Sequence, residues 1–237
     1  MISKIKQFFQ KLPEYFYPHY SCFCCGKELF DNDGSNLCSK CKEQIFPLDN
    51  TFSTYGNLPT YSYCHYDGLA RSIVLDAKDN DKPYFAHLMA HFMAKVIVDN
   101  NLEFDFITYV PTGKKNYRKR GYDYIKILAK TLSKLVNSTV VTTLTKGIDV
   151  VDQTLVPRQD RYKNVNNSFV INQKADVKDK KILILDDIVT SGATLNTCAQ
   201  ELIKYGAYSV TALTFSRAVA RKEKTIILFL CIITSTP

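Results

Sequence analysis

The sequence contains no apolar run long enough to cross a bilayer as a helix. Such a helix needs about 20 residues, whereas the apolar run at 226–233 has eight and predicts a final buried strand. Residues 1–12 alternate Lys with Ile, Phe and Leu, which favours a short amphipathic helix packed on the protein and not a secretory signal. We therefore expect a cytoplasmic protein, free or peripheral at the inner face of the membrane, with reduced cysteines.

Acidic side chains are also in deficit. The 23 Asp and Glu residues stand against 31 Lys and Arg residues, which gives a formal net charge of +8. This excess favours polyanionic partners, namely phosphorylated small molecules, nucleic acid or an anionic membrane face, without choosing among them. With 46% hydrophobic and 23% charged residues, the chain is typical of a globular protein and not of a disordered or fibrous one.

Five of the eight cysteines lie within the first 50 residues. Cys22 and Cys25 form one C-x-x-C pair, and Cys38 and Cys41 form a second pair after twelve intervening residues. Two such pairs are typical of a tetrahedral zinc site, which we expect to be structural because four protein ligands leave no position for a catalytic water. Cys24 is an alternative ligand to Cys22, and a redox-sensitive cysteine cluster is the alternative to a zinc site.

The sequence pattern changes along the chain and predicts four regions. Residues 1–50 hold the zinc-binding segment, 51–65 are a polar linker, 66–217 alternate helical and strand patterns, and 218–237 form a tail of unassigned structure. The predicted elements are helix 83–101, strand 104–110, helix 122–136, strand 140–144, strand 181–185, helix 193–205 and strand 208–215. Strands that alternate with helices predict an α/β fold, a mostly parallel sheet flanked by helices, with a small zinc-ribbon-like N-terminal domain.

The most informative segment follows the strand predicted at 181–185. The strand is expected to end at two carboxylates, Asp186 and Asp187, which accept hydrogen bonds from sugar hydroxyls well. The turn residues that follow supply backbone amides and hydroxyls for a phosphate at the start of a helix, and they are Thr190, Ser191, Gly192, Ala193 and Thr194. Helix capping alone requires fewer such residues. We therefore predict a sugar-phosphate site with Asp186 and Asp187 as its catalytic pair.

This segment resembles the phosphoribosyl pyrophosphate signature of type I phosphoribosyltransferases. Together with the cysteine pairs, the chain from about Cys22 to Phe215 is similar to the ComF/ComFC family of competence proteins. Further family-like stretches are Tyr66-Asp-Gly-Leu, Val110-Pro111, Arg120-Gly-Tyr, Gln153 to Leu155 and Arg161 to Val165. Asp123 departs from the family pattern, which has Asn after the Arg-Gly-aromatic triplet, and residues 75–78 match a Leu-Lys-Tyr stretch only loosely.

The resemblance implies a phosphoribosyltransferase fold, Mg²⁺-assisted binding of phosphoribosyl pyrophosphate, and a role in DNA uptake during natural transformation. It also implies that a basic loop after strand 104–110 faces the pyrophosphate, with Thr112, Gly113, Lys114, Arg118 and Arg120 as predicted ligand-binding residues. By itself such a run of charge is equally typical of a solvated loop. A second basic segment, with Arg158 and Arg161, resembles the loop that closes over the site in related enzymes.

Three functions remain open at this point. In the first, the protein is a phosphoribosyltransferase, a pentosyl transferase in which pyrophosphate leaves the ribose; the sequence has no signature of the acceptor. In the second, the protein is a binding module for single-stranded DNA, for which its net charge and its Tyr and Phe residues are suited. In the third, the protein is an adaptor that docks a competence helicase or an inner-membrane DNA channel protein.

Overall fold

The computed structural model describes residues 20–29, 35–146 and 169–218. By its contacts the chain divides into a small unit, Met1–Gln44, and a large unit, Ile45–Pro237. The helix predicted at 1–12, the strand predicted at 226–233, and Arg158 and Arg161 lie outside the described residues. No helix in the described ranges is long and apolar enough to span a membrane.

In its described residues, the small unit has two short strands and one helical turn. Strand β1, Tyr20–Ser21, pairs antiparallel with β2, Glu28–Leu29, and helix α1 covers Ser39–Lys42. Gly26 lies between the two strands in the left-handed region at φ 72°. Its amide donates to the Cys22 carbonyl at 2.8 Å, which closes a tight turn that residues with a Cβ disfavour.

The large unit contains a sheet of five strands in the order β3-β4-β9-β8-β5. Strands β3 and β4 form an antiparallel hairpin, whereas β4, β9, β8 and β5 are parallel neighbours. The bounds are Phe52–Tyr55 for β3, Leu58–His65 for β4, Phe106–Tyr109 for β5, Lys181–Val189 for β8 and Ser209–Arg217 for β9. Two further strands, β6 at Leu144–Lys146 and β7 at Phe169–Ile171, pair antiparallel outside this sheet.

Helices cover both faces of the sheet because successive strand side chains point to opposite faces. The helices are α2 at Gly68–Asp79, α3 at Tyr84–Asp99, α4 at Lys114–Arg120, α5 at Tyr124–Leu135 and α6 at Ala193–Lys204. On one face Tyr63 stacks on Phe92 of α3, with ring centroids 4.7 Å apart. On the other face, buried residues of α6 such as Leu195 and Cys198 join the β8 and β9 side chains in one apolar cluster. This is the predicted α/β class.

Six predicted elements occur, with ends shifted by a few residues. They are the helices predicted at 83–101, 122–136 and 193–205 and the strands predicted at 104–110, 181–185 and 208–215. The spacing of their apolar residues was sufficient to predict them, because one side of each element packs on a common core. Helix α2 was missed, although Ala70, Ile73, Val74 and Ala77 have helical spacing and are all buried.

Two sequence predictions about strands and linkers are wrong. The expected linker at 51–65 is the β3–β4 hairpin, and its second strand pairs in parallel with β9 inside the sheet. Its alternating burial shows a strand with one covered face, which Pro59 and Gly56 obscured in the sequence. The strand predicted at 140–144 is displaced: Val140 makes an isolated bridge to Ile107, and the regular strand begins at Leu144.

Two further corrections concern the site segments. Strand β8 does not end at the carboxylates but continues through them to Val189, because β9 pairs with it up to that residue. The basic segment after β5 is not a loop but helix α4, which ends at Gly121 in the left-handed conformation at φ 75°. Lys and Arg are good helix formers, so the composition that suggested a solvated loop is equally compatible with this helix.

Candidate functional site

The candidate site lies at the carboxyl edge of the sheet, where β8 extends beyond the end of its neighbour β5. Strand β5 pairs with β8 only up to Tyr109, which is opposite Leu185. Strand β9 remains paired with β8 as far as Val189. Among the described residues, 186–189 therefore have a neighbouring strand on one side only, and ligands of parallel α/β sheets bind just outside such carboxyl ends.

The two carboxylates occupy opposite faces of this strand end. Asp187 is 3% exposed, whereas Asp186 is only partly buried and lines a small cavity with the turn that follows. The cavity has a volume of about 40 Å³, and its lining runs from Asp186 through the turn to Leu195. Of the predicted pair, Asp186 is therefore the carboxylate that faces the turn, and Asp187 is directed into the protein.

Both carboxylates accept hydrogen bonds from backbone amides of the strand end. Asp186 Oδ1 accepts from the Asp187 amide at 3.0 Å, and Asp187 Oδ1 accepts from the Ile188 amide at 2.7 Å. Burial, and then the charge of Asp187, raise the pKa of Asp186 well above its ordinary value. A hydroxyl-rich or cationic ligand beside Asp186 would stabilise its charged form, since it supplies donors or positive charge.

Tyr124 is a site residue that the sequence did not reveal. Its hydroxyl donates to Asp187 Oδ2 at 2.7 Å, across 63 positions of the chain. Tyr124 is 4% exposed, and burial, followed by the charge of Asp187, raises its pKa, so the hydroxyl keeps its proton. No sequence signal indicated this contact. The spacing of the residues around Tyr124 predicts only a helix, and its partner Asp187 belongs to a strand that is distant in the chain.

The turn after β8 presents its hydroxyls to solvent. Thr190, Ser191 and Thr194 are exposed, and Ala193 begins helix α6. The first amides of a helix have no partner within it, and the positive end of the helix dipole lies there. Of the five contiguous residues predicted to bind phosphate, Gly192 is buried and the other four are accessible.

Gly192 packs closely against the β3–β4 hairpin. It is buried in the left-handed conformation at φ 72°, and a Cβ placed there would lie 2.5 Å from the Cβ of Tyr55. The space beside Gly192 is therefore filled by a side chain of the β3–β4 hairpin and is not held open for a ligand. Gly192 is required so that the turn can pack against this hairpin.

The basic segment leaves the same edge of the sheet from the strand next to β8. Thr112 donates from its hydroxyl to Asp123 Oδ1 at 3.0 Å, so this predicted ligand-binding group has a protein partner. Gly113 immediately precedes α4, and a Cβ there would lie 3.5 Å from Lys146 Nζ of β6. Lys146 is thus a further cation beside the segment, which the sequence did not indicate. Arg118 is exposed, and α4 includes Lys114.

Arg120 is held by protein groups. Its side chain is 9% exposed, and its Nη2 lies 3.4 Å from Asp79 Oδ1 at the end of α2. The guanidinium also lies over the Tyr124 ring, 5.4 Å from the centroid. The structure therefore places Arg120 as a contact between α2, α4 and α5, in contrast to the exposed position of Arg118.

A larger open groove lies elsewhere, between the hairpin and α6. It has a volume of about 860 Å³ and is lined by residues 56–59, by α6 side chains such as Ile203, and by the start of β9. No carboxylate is among its lining residues. The smaller cavity at Asp186 combines a carboxylate with the hydroxyls and first amides of a helix start, so it is the better candidate for a sugar-phosphate ligand.

The four predicted zinc ligands come together in the small unit. The Sγ atoms of Cys22, Cys25, Cys38 and Cys41 all lie within 4.8 Å of one another, and the Cys25 and Cys38 sulfurs are 3.7 Å apart. A tetrahedron with Zn–S bonds of about 2.3 Å has sulfur–sulfur edges of about 3.8 Å. The cluster therefore fits a structural zinc ion, and Cys24 is not one of its members.

Within the cluster, the surroundings of Cys22 favour its thiolate form. Burial opposes ionisation of the Cys22 thiol, but backbone hydrogen bonds within the cluster lower its pKa to about 6. Thiolate is the form that binds zinc. Cys22, Cys38 and Cys41 are buried, so their sulfurs are shielded from solvent, as in closed structural sites.

The chain has detectable similarity to known proteins. The protein-family model described as the phosphoribosyl transferase domain matches residues 119–233 of the sequence. Competence protein F of Haemophilus influenzae is 26% identical over 102 residues, which cover 42% of this chain and 44% of that protein. The DNA utilization protein YhgH of Escherichia coli is 28% identical over 109 residues, covering 45% and 46%. The ribose-phosphate pyrophosphokinase of Agrobacterium fabrum is 41% identical over 69 residues, covering 29% and 21%.

The chain spans less than half the length of these curated relatives. Among solved structures, adenine phosphoribosyltransferase from Thermoanaerobacter pseudethanolicus matches at a TM-score of 0.40 and 14% identity, over 75% of this chain and 98% of that chain. That likeness is too distant to bear on function. The phosphoribosyltransferase domain and the competence relatives confirm the resemblance predicted from the motifs. Residues 119–233 are therefore similar to the phosphoribosyl transferase domain, and the chain resembles the ComF family of competence proteins.

Proposed function

We propose that the chain binds phosphoribosyl pyrophosphate with Mg²⁺ at the turn after β8 and that it acts in DNA uptake. This proposal rests on one observation: Asp186 and the residues 190–194, which we call the hydroxyl turn, line the same cavity. A carboxylate beside an anion-binding helix start matches a ligand that has sugar hydroxyls next to a phosphate. The role in DNA uptake is suggested by the names of the competence and DNA utilization relatives.

Each part of the proposed site has a distinct task. The hydroxyls of Thr190, Ser191 and Thr194 and the first amides of α6 would bind the 5-phosphate. Asp186 would accept hydrogen bonds from the ribose hydroxyls. Cations of α4 would neutralise the pyrophosphate, since the segment follows the strand adjacent to β8.

The residues present also fit a magnesium ion. Carboxylate and hydroxyl oxygens line the cavity, and Mg²⁺ prefers oxygen ligands while keeping several of them from the substrate phosphates or water. Bound Mg²⁺ would neutralise charge on the pyrophosphate.

We expect Asp186→Asn to weaken binding of phosphoribosyl pyrophosphate with Mg²⁺ by about ten- to a hundredfold. The physical reason is the loss of charged acceptors for the sugar hydroxyls, which contribute ~1.5–3 kcal/mol each. Isothermal titration calorimetry on the full chain measures this change. Asp99→Asn is the matched control, because Asp99 is an exposed carboxylate paired with Lys95 on α3.

A well-folded, zinc-loaded wild type that binds no phosphoribosyl pyrophosphate would contradict the proposal. If binding occurs, pyrophosphate release with and without nucleobases then separates a transferase from a binding protein. Turnover with one base would identify the acceptor, whereas binding without release would favour the second candidate function.

The second candidate function is binding of single-stranded DNA, and the charge of α4 and α5 favours it. Residues 114–135 hold eight cations and one carboxylate, whereas the whole chain has a net charge of +8. The cations are Lys114, Lys115, Arg118, Lys119, Arg120, Lys126, Lys130 and Lys134. The three lysines of α5 are exposed at intervals of four residues, so they form one stripe along the helix. Such a stripe fits a polyanionic strand.

We expect Lys126→Gln, Lys130→Gln and Lys134→Gln together to weaken oligonucleotide binding and to flatten its salt dependence. Each lost phosphate contact lowers the slope of log K against log salt by ~0.7 for a single strand, so three contacts change it by about 2. Fluorescence anisotropy at two or more salt concentrations measures the slope. The matched control replaces three exposed lysines elsewhere, Lys174, Lys178 and Lys204. An equal loss in both triple variants would contradict a specific basic face.

A further inference from the structure

Within the part of the chain that the structure describes, the end of β8 before the turn at 190–194 is paired on one side only. Beyond Leu185, β8 has lost β5 as a neighbour, while its pairing with β9 continues. The amides of Asp187 and Ile188 are bound there by carboxylate oxygens. The position of this strand end, and of the turn that follows it, therefore depends on where the carboxylates are held.

Asp187 is held from outside the strand by Tyr124. One carboxylate oxygen accepts the Ile188 amide and the other accepts the Tyr124 hydroxyl, both at 2.7 Å. The carboxylate thus bridges helix α5 to the backbone of β8. Because both side chains are almost fully buried, water cannot readily replace either hydrogen bond, and a missing partner would leave a buried acceptor unsatisfied.

Tyr124 is itself fixed at the beginning of α5. The Asp123 carboxylate accepts from the Lys126 amide at 3.1 Å and caps the helix start. Arg120 lies over the Tyr124 ring and is paired with Asp79 of α2. These contacts hold the ring in place, so the hydroxyl has a defined direction toward Asp187.

We infer that Tyr124 is a positioning residue: through the Asp187 carboxylate it holds the open end of β8, and with it Asp186 and the hydroxyl turn, in the geometry that receives a phosphoribosyl group. The ligand in this statement rests on the proposed function. The positioning itself does not, because it concerns contacts within the protein. Asp187 then acts on the ligand indirectly, and Asp186 is the carboxylate that contacts it.

Tyr124→Phe tests the inference because it removes the hydroxyl and leaves the ring under Arg120. In the ligand-free full chain, we expect amide hydrogen exchange in residues 186–194 to accelerate about tenfold, as the loss of a charge-assisted hydrogen bond predicts. Affinity for phosphoribosyl pyrophosphate with Mg²⁺ should fall by a similar factor. Tyr109→Phe is the control, because Tyr109 is also buried and its hydroxyl lies 3.1 Å from Thr142 Oγ1, so the variant removes a buried hydroxyl and leaves the Tyr124–Asp187 hydrogen bond in place.

A double-variant comparison separates positioning from general destabilisation. If Tyr124 acts through Asp187, then Tyr124→Phe combined with Asp187→Ala should exchange no faster in residues 186–194 than Asp187→Ala alone. Additive acceleration would overturn the inference, as would unchanged exchange in Tyr124→Phe or equal acceleration in Tyr109→Phe. A wild type that binds no phosphoribosyl pyrophosphate would instead contradict the proposed function, and the exchange rates would still decide the role of Tyr124.

Discussion

Chelation of the metal from the cysteine cluster should unfold the small unit while the large unit stays folded. Structural zinc contributes an apparent binding free energy of ~10–16 kcal/mol in small zinc domains, and this energy is also folding energy. The small unit has only two short strands and one helical turn among its described residues, so it has little else to stabilise it. The large unit has its own apolar core. Hydrogen exchange before and after chelation measures both units in the full chain.

Single cysteine variants provide the controls for this experiment. Cys22→Ser should lose the zinc, because Cys22 belongs to the four-sulfur cluster. Cys24→Ser should retain one zinc per chain, because Cys24 is outside that cluster and only partly buried. Elemental analysis of the purified variants distinguishes the two. Retention of zinc by Cys22→Ser with its loss from Cys24→Ser would show that the ligand set is wrong.

Gly192→Ala should destabilise the large unit and abolish ligand binding at the turn. The added Cβ would meet three atoms of Tyr55 at 2.5 to 2.7 Å, and overpacking of this kind costs about 1–3 kcal/mol. The left-handed backbone at φ 72° adds a cost of roughly 1 kcal/mol for a residue with a Cβ. Since the turn must shift to relieve the contact, its amides and hydroxyls would no longer converge on a phosphate.

Gly121→Ala is the matched control for the backbone strain. Gly121 has nearly the same conformation, at φ 75°, but no atom lies within 4 Å of the position its Cβ would take. We therefore expect Gly121→Ala to cost only the strain of about 1 kcal/mol. Urea unfolding and calorimetric titration compare the two variants. Equal stability of Gly192→Ala and Gly121→Ala would show that Tyr55 does not restrict the turn.

The sequence predicted those parts of the candidate site that are contiguous in the chain. The strand, the adjacent carboxylates and the hydroxyl turn lie within residues 181–194, so local pattern was enough to identify them. The two C-x-x-C pairs were also readable, because metal ligation constrains their spacing directly. The residues of the basic segment were recognisable by composition. Composition could not decide whether these residues form a loop or a helix, since Lys and Arg occur readily in both.

Sequence patterns could not predict contacts between segments that are far apart in the chain. Tyr124 reads as a core position of α5, and nothing near it in the chain indicates that its hydroxyl reaches Asp187. Tyr55 was assigned to a linker, yet it fills the space beside Gly192. In both cases the decisive neighbour is brought by the packing of another element, and helical or strand periodicity gives only the face that is buried, not what covers it.

The sequence by itself determined the class of fold, the cysteine set and the carboxylate-and-hydroxyl segment, because apolar periodicity, metal-ligand spacing and turn chemistry are local properties. Tertiary structure alone decided that the two carboxylates have different surroundings. Asp186 faces the cavity, whereas Asp187 is buried against Tyr124. The physical reason is that neighbouring residues of a strand point to opposite faces, and the environment of each face depends on which helix covers it.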